Sequence, residues 1–572
     1  MEVTLESEWI KDFSATLLKS FGWKRETNFH RNIKLALYDT TPKQIDMLFE
    51  EVSKFKSTSE SREVIATIKR WREVLADKNP RAANAKSATE LLSLYIAKNA
   101  EGFRLWKNVD GNWFGFFVSD IEFHAENRRN GTPATVEITM DTIVFGSRDS
   151  MSVHWTSFEC RGKTAAQLLA SFDLAVETPE IREHYERSVV RHSYFCSRIG
   201  TQCHTSGQGF GELGDHGSMS RIRYNSKRRQ CKLNGQPGLV VIDTVDDDPD
   251  EAETMRLATY HTSNTQLSIL KAKLNGTAEY DDSYIAADDE VVDEEYWTPI
   301  HPLVPVFDLI RHERYAVHSL DLEQYEYNLK LGDKLILPEN QKNLLQMLVK
   351  SSGSEFKDIV ANKSGGTVIL LAGKPGLGKT LSAEVFSECS ERPLYRVQCS
   401  QLGIDSDTIE SELAVVFRRA RRWGAVILLD EADLYIGERG TDMQRNAIVC
   451  VFLRVLETSD GVMFLTTNLP ETVDDAIASR CIARIDVKHP NREALLEIWE
   501  VLLTQAGVCM WGEDVDYFCD TYNTMGGRDV KAAIKLAMVE GGDQDISRQA
   551  MEFVLGFHPN RGQWENHGRI VQ

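Results

Sequence analysis

The residues best suited to chemistry lie in the second half of the chain. Gly373, Lys374, Pro375, Gly376, Leu377, Gly378, Lys379, Thr380 and Leu381 follow an apolar run at 368–372 and open a helix-forming stretch. Glycines at this spacing let the backbone curl until successive N–H groups point at phosphate oxygens. In such a loop Lys379 reaches the β- and γ-phosphates of a nucleotide, and the Thr380 hydroxyl sits on Mg²⁺. A strand before the loop and a helix after it are the context that turns the pattern into a P-loop.

Three further groups stand at the ends of later apolar runs. The run 425–429 ends in Asp430 and Glu431. A carboxylate there can hold Mg²⁺ beside Thr380, and its neighbour can polarise a water for attack on the γ-phosphate. We assign Asp430 to the metal and Glu431 to the water. The run 461–465 ends in Thr466, Thr467 and Asn468, and an amide at that strand end can bond both the γ-phosphate and the lytic water. Arg480 closes the short helical stretch DDAIASR. An arginine given to a neighbour's γ-phosphate stabilises transition-state charge, although a lone arginine at a helix end is also an ordinary dipole partner.

The elements that position these groups fill out a chain of 572 residues, long enough for several domains. Residues 1–100 read as helical, with apolar positions three and four apart in IDMLFEEVSKF, EVIATIKRWREVL and ATELLSLYIA. Residues 101–242 read as a β-rich α+β recognition domain, with Asp110-Gly111 as a hairpin turn and GLVVID from Gly238 as its last strand. Residues 243–334 read as an acidic linker and connector, because DTVDDDPDEAE and EYDDSYIAADDEVVDEEYW repel themselves. Gly207, Gly209 and Gly211 have no apolar strand leading into them, which speaks against a second phosphate loop. The basic cluster Arg221, Arg223, Lys227, Arg228 and Arg229 reads as a solvated hairpin. His192, Cys196, Cys203 and His204 are spaced too irregularly for a zinc framework.

Composition narrows the function. Hydrophobic residues make up 42% and charged residues 27%, and no apolar run is long enough to span a membrane. The opening MEVTLESEWIKDF lacks a signal-peptide pattern, and ten cysteines show no disulfide framework, so a soluble cytoplasmic protein is expected. A net charge of −20 argues against nucleic acid as the main partner, leaving open a local basic channel.

Taken together, GKPGLGKT, ILLDEAD, LTTN, ASRC and GGRDVKAAI resemble an AAA+ ATPase over roughly residues 335–551, and most of all large fungal AAA ATPases of unknown function. The resemblance implies a multidomain α/β protein whose motor is a doubly wound subdomain at 335–487 and a helical lid at 488–572. It implies ATP and Mg²⁺ as cofactors and a homo-oligomer, most often a hexamer. Arg480 matches the intersubunit arginine finger, with Arg484 as the second candidate, and Arg528 matches the lid's second sensor. Leu337 and Pro338 begin the segment lining the adenine pocket. One departure stands out: the loop CSQLGIDSDTIE has Leu402, Gly403 and Ile404 where protein-threading relatives carry an aromatic residue, leaving Leu402, Ile404 or the pair Tyr435 and Ile436 to touch substrate. The reading is an ATP-hydrolysing ring motor that remodels an unknown protein partner chosen by the N-terminal half. A nucleic-acid-handling ATPase and a nucleotide-dependent assembly switch are the alternatives.

Overall fold

A computed structural model describes residues 2–55 and 64–72 in part. Beyond these it describes 80–213 apart from 128–130 and 146, 229–243 apart from 232–235, 297–351, and 366–557 apart from 399–401, 403–405, 440–442, 459–460 and 542–544. The acidic tracts from 244 to 296, Gly403, Ile404, and Arg221, Arg223, Lys227 and Arg228 of the basic cluster lie outside the described residues.

The chain begins with a strand. β1 (Glu2–Leu5) pairs antiparallel with β2 (Ile33–Ala36), and the helices Ser7–Asp12, Ala15–Ser20 and Pro42–Val52 pack around Leu5, Trp9, Phe13, Leu17 and Leu48. Pro42–Val52 starts on a capping box of Thr41 and Gln44 with proline in the first turn. The expectation of a purely helical 1–100 region therefore needs correcting. Its last helix, Ala85–Asn99, buries Ala88, Leu92 and Ile96 in one core with Leu105 and Phe116 of the following sheet, so position 100 divides nothing.

That sheet runs through β3 (Arg104–Val109), β4 (Asn112–His124), β5 (Thr135–Val144), β6 (Ser147–Thr156) and β7 (Leu174–Ala175), in the order β6-β5-β4-β3-β7. Asp110 and Gly111, with φ of 51° and 88°, make the two-residue turn between Val109 and its partner Asn112, as the Asp-Gly pair predicts.

A second sheet takes in β8 (Gln202–Thr205), β9 (Gln208–Leu213), β10 (Arg229–Gln230), β11 (Gly238–Ile242), β12 (Leu303–Asp308), β13 (Glu313–His318) and β14 (Leu322–Gln324). Its order is β10-β9-β13-β12-β11-β8-β14. Here the connector expected over 243–334 is overturned: residues 303–318 form two central strands, and GLVVID is an inner strand rather than the last. β12 is buried at every position, so it lacks the alternation that marks a half-exposed strand. Pro305 is tolerated because β11 pairs only with Val306 to Asp308, and at Pro305 the ladder needs just its carbonyl, which accepts from Asp243 N at 3.1 Å.

Phe210, Leu303 and Ala316 of the second sheet join the core of the first, so the two share one interior. Four histidines sit in it or beside it. His301 lies edge-on to Phe114 and Phe116 and bonds the Gly115 carbonyl at 3.1 Å. His318 faces Phe114 and His184, while His192 lies on the same helix, Pro179–Cys196, as His184. Burial drives His184 and His192 down to about 4 and His301 to about 3, and His318 falls well below the ordinary range.

Because the folded chain favours the neutral rings, their contribution to stability is complete above the unfolded value of about 6.5 and is lost as pH falls from there toward about 4. The melting temperature should drop across that window. In His301→Phe, which keeps the ring packing and removes one titration, the drop between pH 7 and pH 5 should be shallower. An unchanged slope would mean that other groups carry it.

The motor sheet is parallel. β15 (Thr367–Ala372), β16 (Leu394–Gln398), β17 (Val426–Asp430), β18 (Val462–Thr467) and β19 (Ala483–Asp486) lie in the order β16-β17-β18-β15-β19. Four helices, Arg492–Ala506, Gly512–Thr521, Gly527–Gly541 and Arg548–Gly556, form a lid around Leu495, Trp499, Phe518 and Met551. Among the described residues no helix is long and apolar enough to cross a membrane.

The second sheet docks on the motor through a buried ion cluster. Asp243, 1% exposed, accepts from Trp423 Nε1 at 2.9 Å and pairs with Arg422 and, at 3.0 Å, with Arg314. Removing one partner of a buried pair leaves charge uncompensated. Asp243→Ala should therefore lower stability by about 3–5 kcal/mol in a denaturant melt, whereas a change below about 1 kcal/mol would mark the cluster as incidental.

Candidate nucleotide site

Between the carboxyl end of β15 and the helix Lys379–Cys389 the backbone turns through Gly373, Gly376 and Gly378, with φ of 153°, 81° and 98°. A Cβ on Gly373 would stand 2.2 Å from the Val487 carbonyl oxygen, so only glycine fits there. Gly378 is the N-cap and no side chain caps the helix, which leaves the first-turn N–H groups directed into the loop. Lys379 is 7% exposed, and its Nζ donates to the carbonyls of Gly373 (2.7 Å) and Lys374 (2.8 Å) and to Asn468 Oδ1 (2.9 Å). Burial lowers its pKa, Arg528 adds to the lowering, and Asp430, Asp433 and Glu431 oppose it.

Parallel register brings the other strand ends to the same place. Ala372 lies beside Thr467, and β17 ends one strand further over. The Asp430 carboxylate accepts from Thr380 Oγ1 at 3.1 and 3.3 Å and from Thr466 Oγ1 at 2.7 Å, and it pairs with Arg396 on β16. Glu431 follows in the left-handed region, φ 56°, with its N–H donating to Thr466 Oγ1 at 2.9 Å and its side chain exposed. A non-glycine residue held there marks a position over-determined by its surroundings. Asp433 accepts from Thr467 Oγ1 and, at 3.1 Å, from Asn468 N, which fixes the end of β18.

The structure thus brings together Lys379, Thr380, Asp430 and Asn468, with Glu431 adjoining. Arg528, on the lid, packs its side chain against Gly376, and its N–H points to the Gly376 carbonyl at 3.4 Å. Leu381 is half exposed just inside the helix. Arg480 lies two residues beyond Asp475–Ala478, pairing with Glu457 and donating to the Ala476 carbonyl at 2.9 Å. Arg484 is held by Asp486 at 3.0 Å and the Pro470 carbonyl at 3.1 Å.

Sequence reasoning missed Arg396, Asp433 and the bridging role of Thr466. Asp433, three residues past Asp430 in DEAD, carried a usable spacing; Arg396 carried none. The substrate contacts expected of Tyr435 and Ile436 are overturned: these side chains are 0% and 1% exposed, with Tyr435 against Phe452, because that short helix turns them into the motor core. Leu402, 2% exposed, is buried likewise. His192 Nε2 lies 3.4 Å from Cys196 Sγ, while Cys203 and His204 are on β8, and among the described residues no group of three or more His, Cys, Asp or Glu is placed to hold a metal.

Phosphate loop, strand-end carboxylates and helical lid in this order define a P-loop ATPase domain. Residues 369–489 match the family described as "ATPase family associated with various cellular activities (AAA)", and the chain carries an AAA+ ATPase domain. It is 25% identical over 187 residues to the Arabidopsis thaliana "ATPase family AAA domain-containing protein FIGL1", a match covering 30% of this chain and 27% of that protein. It is 31% identical over 157 residues to the Schizosaccharomyces pombe "ATPase family gene 2 protein", covering 26% of this chain and 19% of that one. The chain therefore spans about a quarter or less of the length of these relatives. Among solved structures, the FIGL-1 AAA domain in complex with ADP aligns at 18% identity and a TM-score of 0.32, over 41% of this chain and 87% of that one.

The family implies nucleotide and magnesium, and the residues fit both. The uncapped helix start and buried Lys379 suit phosphate, and the oxygens of Thr380 and Asp430 suit a hard cation that keeps waters and phosphate oxygens as its other ligands. Thr466→Val would remove the hydroxyl that joins Asp430 to the Glu431 N–H. Leaving that network short by two hydrogen bonds should cost about 1–3 kcal/mol of stability, read by urea titration, and no loss would show that the bridge is not formed.

Proposed function

We propose that the chain is an ATP-hydrolysing motor that works as a ring, hexameric as in the AAA+ resemblance, and remodels a protein partner chosen by the N-terminal sheets. The convergence of Lys379, Thr380, Asp430 and Asn468 at three parallel strand ends supports this reading best. Lys379, already desolvated, binds the β- and γ-phosphates, and the loop from Gly373 to Leu381 cradles them with backbone N–H groups. Thr380 and Asp430 would hold magnesium, which would supply positive charge against the charge developing on the phosphate oxygens. Glu431 orients and polarises the attacking water, and Asn468, tied to Lys379, senses the γ-phosphate. Arg528 closes on the phosphates from the lid.

Arg480 acts on the neighbouring subunit's nucleotide. Among the described residues its contacts are with Glu457 and Ala476 and not with the P-loop of its own chain, which favours a role in trans, and such an arginine contributes about 10³- to 10⁵-fold in rate, or about 4–7 kcal/mol of barrier. An overall negative charge favours a protein partner over nucleic acid.

Lys379→Ala should abolish nucleotide binding. Glu431→Gln should keep ATP and accumulate assembled rings, visible by imaging and sizing with and without Mg-ATP. Arg480→Ala should bind ATP normally and lose turnover. A Glu431→Gln protein that binds ATP yet stays monomeric would overturn the ring and the trans arginine together.

A further inference from the structure

Among the described residues β16 is the edge strand of the motor sheet, paired with β17, and its adjacent residues Tyr395 and Arg396 face different neighbours. Tyr395 is 2% exposed and packs in an aromatic cluster with Phe307 at 5.6 Å, His312 at 5.5 Å and Trp423 at 5.2 Å. Phe307 and His312 belong to the β12–β13 hairpin of the N-terminal half, and the buried Asp243 cluster pins that hairpin's sheet to Trp423. His312 sits in the hairpin's turn with φ of 59°, and its ring rests on Tyr395, the residue next to Arg396 on β16. Arg396 in turn reaches the Asp430 carboxylate. Arg396 therefore follows directly on a residue gripped by the N-terminal sheet, and its own side chain lies on the carboxylate assigned to the metal.

We propose that Arg396 is a positioning residue through which the docked β12–β13 hairpin sets the orientation and effective charge of Asp430, coupling the N-terminal sheets to magnesium-nucleotide binding. The inference rests on the ATPase reading. Its logic is electrostatic: a guanidinium on Asp430 offsets negative charge that a divalent cation would otherwise meet, so the strength of the pair tunes cation affinity. Linkage makes the coupling reciprocal, and a partner that shifts the hairpin changes magnesium-nucleotide affinity by the factor with which that nucleotide changes the partner's affinity.

The test is a magnesium titration of fluorescent-ADP binding to the full chain, with binding in excess chelator as control, so that no turnover is needed. Arg396→Ala should lower the magnesium midpoint about two- to fivefold, the range open to a half-exposed pair, while affinity in chelator stays unchanged. Arg396→Lys should restore the midpoint. His312→Ala removes the ring that packs on Tyr395 beside Arg396; it should move the midpoint the same way, with no further shift when added to Arg396→Ala. A wild-type midpoint in Arg396→Ala would overturn the positioning role. A shift in Arg396→Ala with none in His312→Ala, or additive shifts in the double variant, would overturn the coupling to the hairpin. Failure of the wild-type protein to bind ADP at all would overturn the ATPase reading and this inference with it.

Discussion

Everything at the nucleotide site depends on three strand ends finishing level with one another. Ala372, Asp430 and Thr467 close β15, β17 and β18, and the parallel register puts a lysine, a carboxylate pair and an amide within one or two hydrogen bonds. A slip of one residue in β17 would turn Asp430 to the other face of the sheet and separate it from Thr380. The burial of β15, β17 and β18 is what forbids the slip, since every apolar side chain in them is enclosed. Core packing and site geometry are therefore one constraint seen from two ends. The small cross-links, Thr466 to Asp430 and Asp433 to Asn468, hold positions that the sheet has already fixed.

A comparable economy joins the two halves of the chain. The second sheet meets the motor through an aromatic cluster and a buried carboxylate shared by a tryptophan and two arginines, all on or beside β16 and the helix Ser406–Trp423. Apolar contacts such as Phe307 on Trp423, at 4.9 Å, supply the attraction. The ion cluster supplies the direction, because a charge this buried tolerates only one arrangement of its partners. A docking of that kind suits transmission of a displacement better than a flexible tether would.

Chemistry was far more legible in the sequence than architecture. The P-loop, Asp430 with Glu431, and Asn468 follow from short patterns at strand ends, and Arg528 from the AAA+ resemblance; Lys379, Thr380, Asp430 and Asn468 come together and Arg528 lies against Gly376, while Arg480 contacts Glu457 and Ala476. Strands β12 and β13 escape the pattern because nearly every position is covered: β12 is an apolar run with a proline and lacks alternation, and its inner partner β11 lies more than 60 positions back, across the acidic tracts. Tyr435 and Ile436 failed for a related reason. A four-residue helix gives no period from which burial can be judged, and only the packing of Phe452 decides which way it turns.

Arg396 marks the boundary between these two kinds of information. Nothing in PLYRVQ distinguishes it from a solvent-facing strand residue, and half of its side chain is exposed. Its significance comes from being one position along from Tyr395: strand alternation sends the tyrosine into the interdomain cluster and the arginine toward the end of β17. Any edge strand that ends beside a reactive carboxylate and is covered by another domain will have this property. The covering domain grips alternate side chains, and the ones between them point at the chemistry. On the coupling proposed above, the N-terminal half would act on hydrolysis with no catalytic group of its own, by holding the edge of the sheet.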